Sequence, residues 1–361
     1  ASPEHALSFK CFFAGVIGEG EETFIEILRC IEKKRDWTNI DGIAYMDSLG
    51  NLIRTKPRKL IDNLDLIPFP AYDLIPNMFA YTPQAYNYKK TPVANIMTSR
   101  GCPNQCTFCD RTIFGQKLRQ RSPDNVAQEI SLLYHKYAIK EFAFADDTFT
   151  INFDRVIKLF DILEKDNISF PWTCMSRVNT VTKESIKQMK KLGCWMLSFG
   201  IESGVEDILK TIKKNITLEQ IHQALLWCKE EGIKSAGFFM IGHPQETLET
   251  INKTIAFALK LPLNVVSVTI NTPYPGSAQH QDVNKYGLLD STDWSLYSHW
   301  RPVFIPFGLD KETLVNKQKE FYRRFYLRPA IIFSFMLTFF KSGGFKRFFQ
   351  LVKSVPYILF K

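Results

Sequence analysis

The fold turns on the stretch Thr98-Ser99-Arg100-Gly101-Cys102-Pro103-Asn104-Gln105-Cys106-Thr107-Phe108-Cys109-Asp110, three cysteines at C-x3-C-x2-C spacing directly after a short apolar run, Val93 to Met97. Three thiolates in one tight loop can hold three irons of a 4Fe-4S cluster, and a cubane with only three protein ligands leaves its fourth iron open to a small molecule. A structural zinc site competes for the same residues. It usually wants four Cys or His ligands in C-x2-C pairs, however, and no second pair or C-x-x-C-H arrangement follows within the next fifty residues. The other cysteines, Cys11, Cys30, Cys174, Cys194 and Cys228, stand singly in apolar segments, as in a reduced chain rather than a disulfide framework.

Outward from this loop, residues from Val93 to about Ser277 alternate short apolar runs with amphipathic patterns, the signature of parallel βα units. Six strands are expected: Val93 to Thr98, Glu141 to Asp146, Trp172 to Arg177, Met196 to Glu202, Ser235 to Ile241 and Val265 to Thr272. Helical patterns such as Asn125 to His135 and Leu218 to Cys228 lie between them. Right-handed crossovers repeated in this way curl into an open barrel whose functional residues collect at the C-terminal ends of the strands. The expected fold class is therefore α/β, a partial (β/α)6 barrel of TIM type with the cysteine loop following its first strand.

Cys102, Cys106, Phe108 and Cys109 resemble the signature loop of radical S-adenosylmethionine (radical SAM) enzymes, C-x3-C-x-aromatic-C. The resemblance implies that S-adenosylmethionine chelates the open iron through its amino and carboxylate groups. It also implies that an electron from the cluster cleaves the sulfonium to methionine and a 5'-deoxyadenosyl radical, which abstracts hydrogen from unreactive C–H bonds. The cofactors carry the hard chemistry while the protein supplies position and exclusion of water.

Successive strand ends carry further likenesses. Ala145-Asp146-Asp147 stands where many members have Gly-Gly-Glu around the amino group of S-adenosylmethionine, although on the residues alone it reads equally as a cap or surface pair. Met175-Ser176-Arg177 offers an arginine that either pairs with the methionine carboxylate or reaches solvent. Ser198 to Gly204 resembles the family segment beside bound S-adenosylmethionine, which gives that role to Glu202 and Ser203. A buried Glu202 needs ribose hydroxyls or a cationic neighbour such as Arg177. Gly237 to Thr247 resembles the strand that flanks the adenine; it includes Gly242, and Glu246 is expected to open the next helix. His243 stands where the family usually has a small or apolar residue and reads as packed or solvated rather than as a proton donor. Asn271 to Ser277 resembles the family's Thr-Pro-x-Pro-Gly-Thr turn, which brings Pro273 to the cofactor.

Upstream, Cys11 to Gly18 reads as a buried strand and the residues to Leu28 as a helix with acidic groups in its first turn. Ile17 to Phe24 resembles the last strand and helix of the cobalamin-binding, Rossmann-like domain that precedes the core in one large subgroup, and the Pro-rich linker Leu64 to Pro76 resembles that subgroup as well. The subgroup implies methyl transfer to an unactivated carbon as the first reading, with oxidative cyclisation or rearrangement as the alternative. No D-x-H-x-x-G segment occurs, so cobalamin is expected on the full-length protein rather than on these residues. The expected organisation is a domain remnant at 1–40, a hairpin (Asp41 to Arg54) and linker at 41–90, the radical SAM core at 91–285, and a basic, Phe-rich helical extension at 286–361.

With 361 residues, 45% hydrophobic and 23% charged, the chain is no disordered segment. Its net charge of +9 is spread along helices apart from Lys56 to Lys59 and the tail, so specific nucleic-acid binding is not expected. No signal peptide is legible, and no run reaches the roughly 18 apolar residues of a membrane span; a cytoplasmic protein is expected. In the tail, Phe333, Phe335, Phe339, Phe340, Phe345, Phe348 and Phe349 fall near helical spacing around Ser342 to Gly344, with Lys341, Lys346, Arg347 and Lys353 alongside. This resembles an interfacial helix pair, with peripheral contact at the inner membrane face and a lipid-like or other small apolar substrate; packing onto the core is the alternative. Asp293 to Trp300 is expected to cover the barrel opening as a lid or as ordinary packing. A reductant such as flavodoxin or ferredoxin completes the expected partners. A non-catalytic iron-sulfur or zinc module is the competing class, and it explains the cysteines but not the motifs at successive strand ends.

Overall fold

The computed structural model describes residues 2–75, 77, 83 and 87–334. The chain begins with α1 (Pro3–Ser8), β1 (Gly15–Val16) and α2 (Glu21–Glu32), followed by the antiparallel hairpin β2 (Ile43–Met46) and β3 (Leu52–Arg54). The core runs β4 (Val93–Ile96), β5 (Ser99–Arg100), β6 (Arg119–Gln120), α3 (Pro123–Lys136), β7 (Glu141–Phe144), α4 (Phe153–Lys165), β8 (Trp172–Ser176), α5 (Lys183–Lys191), β9 (Cys194–Glu202), α6 (Glu206–Thr211), α7 (Leu218–Glu230), β10 (Lys234–Ile241), α8 (Leu248–Lys260) and β11 (Val265–Ile270). It is followed by α9 (Ala278–Gln281), α10 (Val283–Tyr286), β12 (Gly287–Leu289), β13 (Phe304–Pro306) and α11 (Lys311–Tyr326).

All six expected strands form, and they pair in parallel in the unbroken order β4-β7-β8-β9-β10-β11. Each crossover therefore returns beside the strand it left, which makes the partial barrel. Phe142, Phe144, Phe149 and Trp172 are fully buried in the main core, with the Phe144 and Phe149 rings stacked at 4.2 Å. Thr182, Thr217 and Thr247 begin α5, α7 and α8 with reciprocal capping boxes; such caps contribute about 1 kcal/mol each.

The structure departs from the sequence reading at both ends. The strand expected over Cys11 to Gly18 shrinks to the two residues of β1, and Phe12 and Phe13 stay 58% and 59% exposed. The physical reason is that among the described residues β1 pairs only with β2, so none of their strands flanks and buries the run. The C-terminal extension is not wholly helical, because β12 and β13 form an antiparallel ladder ahead of α11. On α11, the Tyr322 and Tyr326 hydroxyls each accept from and donate to one residue of β11, Val268 and Val266 respectively, and Gln318 Nε2 donates to Val268 O. Pro76 and the tail from Phe335 onward lie outside the described residues, and among those described no helix is long and apolar enough to cross a membrane.

Glu19, in the glycine turn before α2, fastens the N-terminal unit to the core. Its buried carboxylate accepts from Arg100 Nη1 (2.9 Å), Arg119 Nη1 (2.7 Å) and Ile61 N (2.8 Å). Burial pushes this carboxyl up, and the bonds from Arg119, Arg100 and Ile61 outweigh it, holding the group below its usual value.

Candidate active site

The cysteine loop leaves β5 and returns through β6, so the short β5–β6 ladder closes its neck. Gly101 sits at φ +83°, and a Cβ there would stand 2.3 Å from Lys117 O, so the neck admits only glycine. Cys102 is half-buried, Cys106 buried and Cys109 exposed, all as free thiols. Asn104 Nδ2 donates to Cys102 Sγ at 3.2 Å and Arg177 Nη1 to Cys106 Sγ at 3.6 Å. Thr107 N donates to Ile212 O (3.0 Å) and Gln279 N to Thr107 O (2.9 Å), which ties the loop to the segments after β9 and β11. Partial burial, with Cys106, Asp147 and Cys102 nearby, pushes the Cys109 thiol up to about 11.

Among the described residues, no three Cys, His, Asp or Glu side chains are grouped to hold a single metal ion. A cubane does not ask for that, because each thiolate takes a different iron. Three free thiols on one loop, two of them already receiving N–H donors, fit such a cluster.

The strand ends divide into groups that face this loop and groups used elsewhere. Arg177 is buried at the end of β8: Nη1 reaches Cys106, Nη2 donates to the Lys214 carbonyl, and Nε has no partner. Of the partners considered for Glu202, a cationic neighbour is present, and it is Lys214 Nζ at 2.7 Å rather than Arg177. Asp147 is exposed near Cys109. Asp146 turns the other way, accepting from Thr98 N (2.9 Å), Thr98 Oγ1 (2.9 Å) and Ser99 Oγ (2.6 Å), so it latches the base of the loop. Burial pushes its carboxyl up even so. Ser176 is buried and bonded to Thr150 and Thr180. Ser203, fully buried, shares its hydroxyl with Thr254 and with Val205 N and so shapes the turn after β9.

Glu246 precedes the Thr247 cap instead of opening α8, and folds back to accept from Gly242 N (2.6 Å) and His243 N (3.0 Å). Its burial pushes the carboxyl up to about 8. Gly242 is at φ +81° with α11 behind it, where a Cβ would lie 3.2 Å from Leu314. His243 is wholly buried, its ring centroid 6.0 Å from that of Phe108, and neither nitrogen has a partner. Burial, aided by the Lys214 charge, pushes it down to about 3, so it is a neutral imidazole at physiological pH. Asn271, at the end of β11, is also fully buried with both amide atoms unpartnered. Pro273 is buried in the turn that follows, its carbonyl 3.0 Å from His280 Nδ1. That turn abuts the cysteine loop, since a Cβ on Gly276 would stand 2.5 Å from Asp110.

The aromatic segment after the core packs on this turn. Trp294 and Tyr297 lie 4.6 Å apart, Tyr297 meets Tyr274, and a cleft of about 360 Å³ lined by Ser2, His5, Asp110, Tyr274, Pro275 and Trp294 opens beside them. Trp300 instead stacks on Tyr322 of α11. The residues that the sequence did not single out are Lys214, Asn271 and Glu19. Lys214 sits in Lys213-Lys214-Asn215, which has the pattern of a solvated charge run.

A parallel partial barrel with a three-cysteine loop after its first strand defines a cluster-binding protein of the (β/α)6 class. The model of the Radical SAM superfamily matches residues 96–258. An uncharacterized methyltransferase of Pyrococcus horikoshii is 38% identical over 323 residues, covering 89% of this chain and 69% of that protein. The chain belongs to the radical SAM superfamily of enzymes, and membership implies a 4Fe-4S cluster and S-adenosylmethionine. The anaerobic magnesium-protoporphyrin IX monomethyl ester cyclase of Rubrivivax gelatinosus is 27% identical over 323 residues, covering 88% of this chain and 57% of that protein. This chain thus spans 69% and 57% of the lengths of these two relatives. Among solved structures, the cobalamin-dependent S-adenosylmethionine radical enzyme OxsB, with aqua-cobalamin and S-adenosylmethionine bound, matches 93% of this chain and 56% of its own at TM-score 0.70 and 17% identity, a likeness of fold.

Proposed function

We propose that the protein reductively cleaves S-adenosylmethionine at a 4Fe-4S cluster carried by Cys102, Cys106 and Cys109, and that the full-length polypeptide uses cobalamin to methylate an unactivated carbon. The observation that carries this reading is the convergence at one barrel end of three free thiols with buried polar atoms of Arg177, His243 and Asn271 that lack partners. When bound, the cluster and S-adenosylmethionine supply an electron and a 5'-deoxyadenosyl radical.

The chain's own residues would do the positioning. N–H donors from Asn104 and Arg177 reach the sulfurs of Cys102 and Cys106 and would orient them toward the cluster. Arg177 Nε is the donor left for a carboxylate, Asp147 the exposed charge for an amino group, and Glu202 the acceptor for hydroxyls. Phe108, Gly242 and Pro273 wall the nucleoside, while Asp146, Ser176 and Ser203 hold the strand ends from behind.

Methyl transfer draws support from the name of the Pyrococcus relative, and cyclisation, the second reading, from that of the Rubrivivax relative. Residues 1–40 as the end of a larger cobalamin-binding domain draw support from α2, whose Phe24, Ile25, Leu28 and Ile31 are 47% to 55% exposed. A cytoplasmic location and tail-mediated membrane contact remain sequence-based proposals, tested by liposome flotation with and without residues 330–361. Anaerobic reconstitution with iron and sulfide, then reduction by dithionite, tests the main reading. Formation of 5'-deoxyadenosine and methionine is expected, whereas a protein that keeps zinc and cleaves nothing ends the proposal. Cobalamin should stay on the full-length product and not on these 361 residues.

A further inference from the structure

The neck of the cysteine loop sets two like charges face to face. In the β5–β6 ladder, only two residue pairs long, Arg100 stands directly opposite Arg119 and Ser99 opposite Gln120. A ladder this short has little stability of its own, and like charges directly opposite each other work against it. Side chains alternate along a strand, so the two arginines share one face and Ser99 points to the other. A carboxylate closes each face. On the Ser99 face it is Asp146, from the core just after β7. On the arginine face it is Glu19, which comes from the N-terminal unit and is 6% exposed. Glu19 Oε1 accepts from Arg100 Nη1 and from Arg119 Nη1, both at 2.9 Å, and Oε2 accepts from Arg119 Nη1 at 2.7 Å. Arg100 Nη2 also donates to Glu21 of α2 at 2.5 Å, and the Arg119 guanidinium goes on to the carbonyls of Ile61 and of Phe114 within the loop. Gly101 and Cys102 follow Arg100 directly, so the limb that carries the first thiol is anchored through this carboxylate.

We propose that Glu19 is a positioning residue for the 4Fe-4S cluster: as the counter-charge between two opposed arginines it keeps the neck of the cysteine loop shut, and so holds the three sulfurs at the spacing a cubane needs. This rests on the function proposed above, which puts the cluster on that loop. The segment Ile17 to Phe24 then belongs to the cluster site as well as to the domain whose end it resembles. A carboxylate that only added to the stability of the fold would affect the cluster no more than an equally destabilising change elsewhere, and its loss would not be made good by reversing the charge of one arginine.

The test reconstitutes the protein anaerobically with iron and sulfide and reads the rate at which a ferrous chelator strips its iron at a temperature well below unfolding. Circular dichroism and the electron paramagnetic resonance of the reduced cluster are followed alongside. E19Q should fold and release iron faster than wild type by about 10-fold or more, the worth of a hydrogen bond between charged groups. E19Q/R100E, which gives the ladder one charge of each sign, should return the rate to that of wild type. Glu141→Ala, which removes the acceptor of three donors at the other end of the sheet, should melt earlier yet release iron as wild type does. Should E19Q fold poorly, E19Q/R100E carries the test, since it must fold and keep its cluster. Equal release from E19Q and wild type, a double variant that fails to fold or to restore the rate, or fast release from Glu141→Ala overturns the proposal. A wild type that takes up no cluster overturns the proposed function and this inference with it, a result distinct from a wild type and an E19Q that keep their clusters equally well.

Discussion

The two ends of the barrel treat buried polar groups in opposite ways. At the N-terminal ends of the strands, Glu141 is 1% exposed and its carboxylate receives Lys89 N (2.7 Å), Lys90 N (2.6 Å) and Trp195 Nε1 (2.9 Å). At the C-terminal ends, His243 and Asn271 are buried as deeply, yet their four side-chain nitrogen and oxygen atoms have no partner. Buried polar groups are almost always bonded, and an unsatisfied one costs about 1–3 kcal/mol. At the first of these sites the protein completes the bonding itself, whereas the second, beside bonded groups such as Asp146 and Ser203, keeps polar atoms that the described residues leave unanswered.

Substitutions at the two ends should therefore separate stability from function. The largest effect is expected for Cys106→Ala, with Cys102 and Cys109 alike: iron content after reconstitution and S-adenosylmethionine cleavage fall to background while the iron-free protein melts as wild type does. Glu141→Ala should do the reverse, lowering the unfolding free energy by about 3 kcal/mol in urea titrations because three buried donors lose their acceptor, with cofactor affinity unchanged. A Glu141 variant that bound S-adenosylmethionine poorly while folding normally would break the contrast.

Glu246 gives the contrast a pH axis. Burial raises its folded-state value from the usual 4.5 to about 8. The folded protein therefore holds a proton that the unfolded chain has lost between those values. Its contribution is present below pH 4.5 and is lost as pH rises to about 8, at no more than about 1.4 kcal/mol per unit. Melting curves from pH 5 to pH 8.5 should show this slope, flattened in Glu246→Gln. The smallest expected effect is Asn271→Leu, which removes two unpartnered atoms and should stabilise by up to about 1 kcal/mol while weakening S-adenosylmethionine binding. A loss of stability there would show that Asn271 has a partner within the fold.

The six strands were legible because each is an apolar run between amphipathic helices, and the cysteine loop because its spacing is chemically restrictive. The roles of neighbouring residues at a strand end were not, since side chains alternate from one face to the other along an extended chain. Asp146 and Asp147 diverge in this way, one latching Thr98 and Ser99 and the other reaching the surface near Cys109. Glu202 and Ser203 diverge too, one toward Lys214 and one toward Thr254, here because Glu202 turns the backbone at a left-handed φ of +66°. The partner of Glu202 could not be read either, because it comes twelve residues later from a loop whose direction depends on packing rather than pattern. The Cys11 to Gly18 run misled for a related reason: apolar residues predict burial only where a neighbour exists to bury them.

The tyrosines of α11 bear on how the barrel ends. A sheet of six strands that does not close has two free edges, and a free edge invites any extended chain to pair with it. Along β11 the Tyr322 and Tyr326 hydroxyls stand in for that missing neighbour, each answering the N–H and the C=O of one valine. The edge of the sheet is thus covered by a helix rather than by another strand. Residues on the outward turns of that helix can change without disturbing a single backbone bond of the sheet, because side-chain hydroxyls and not a backbone ladder cover the edge.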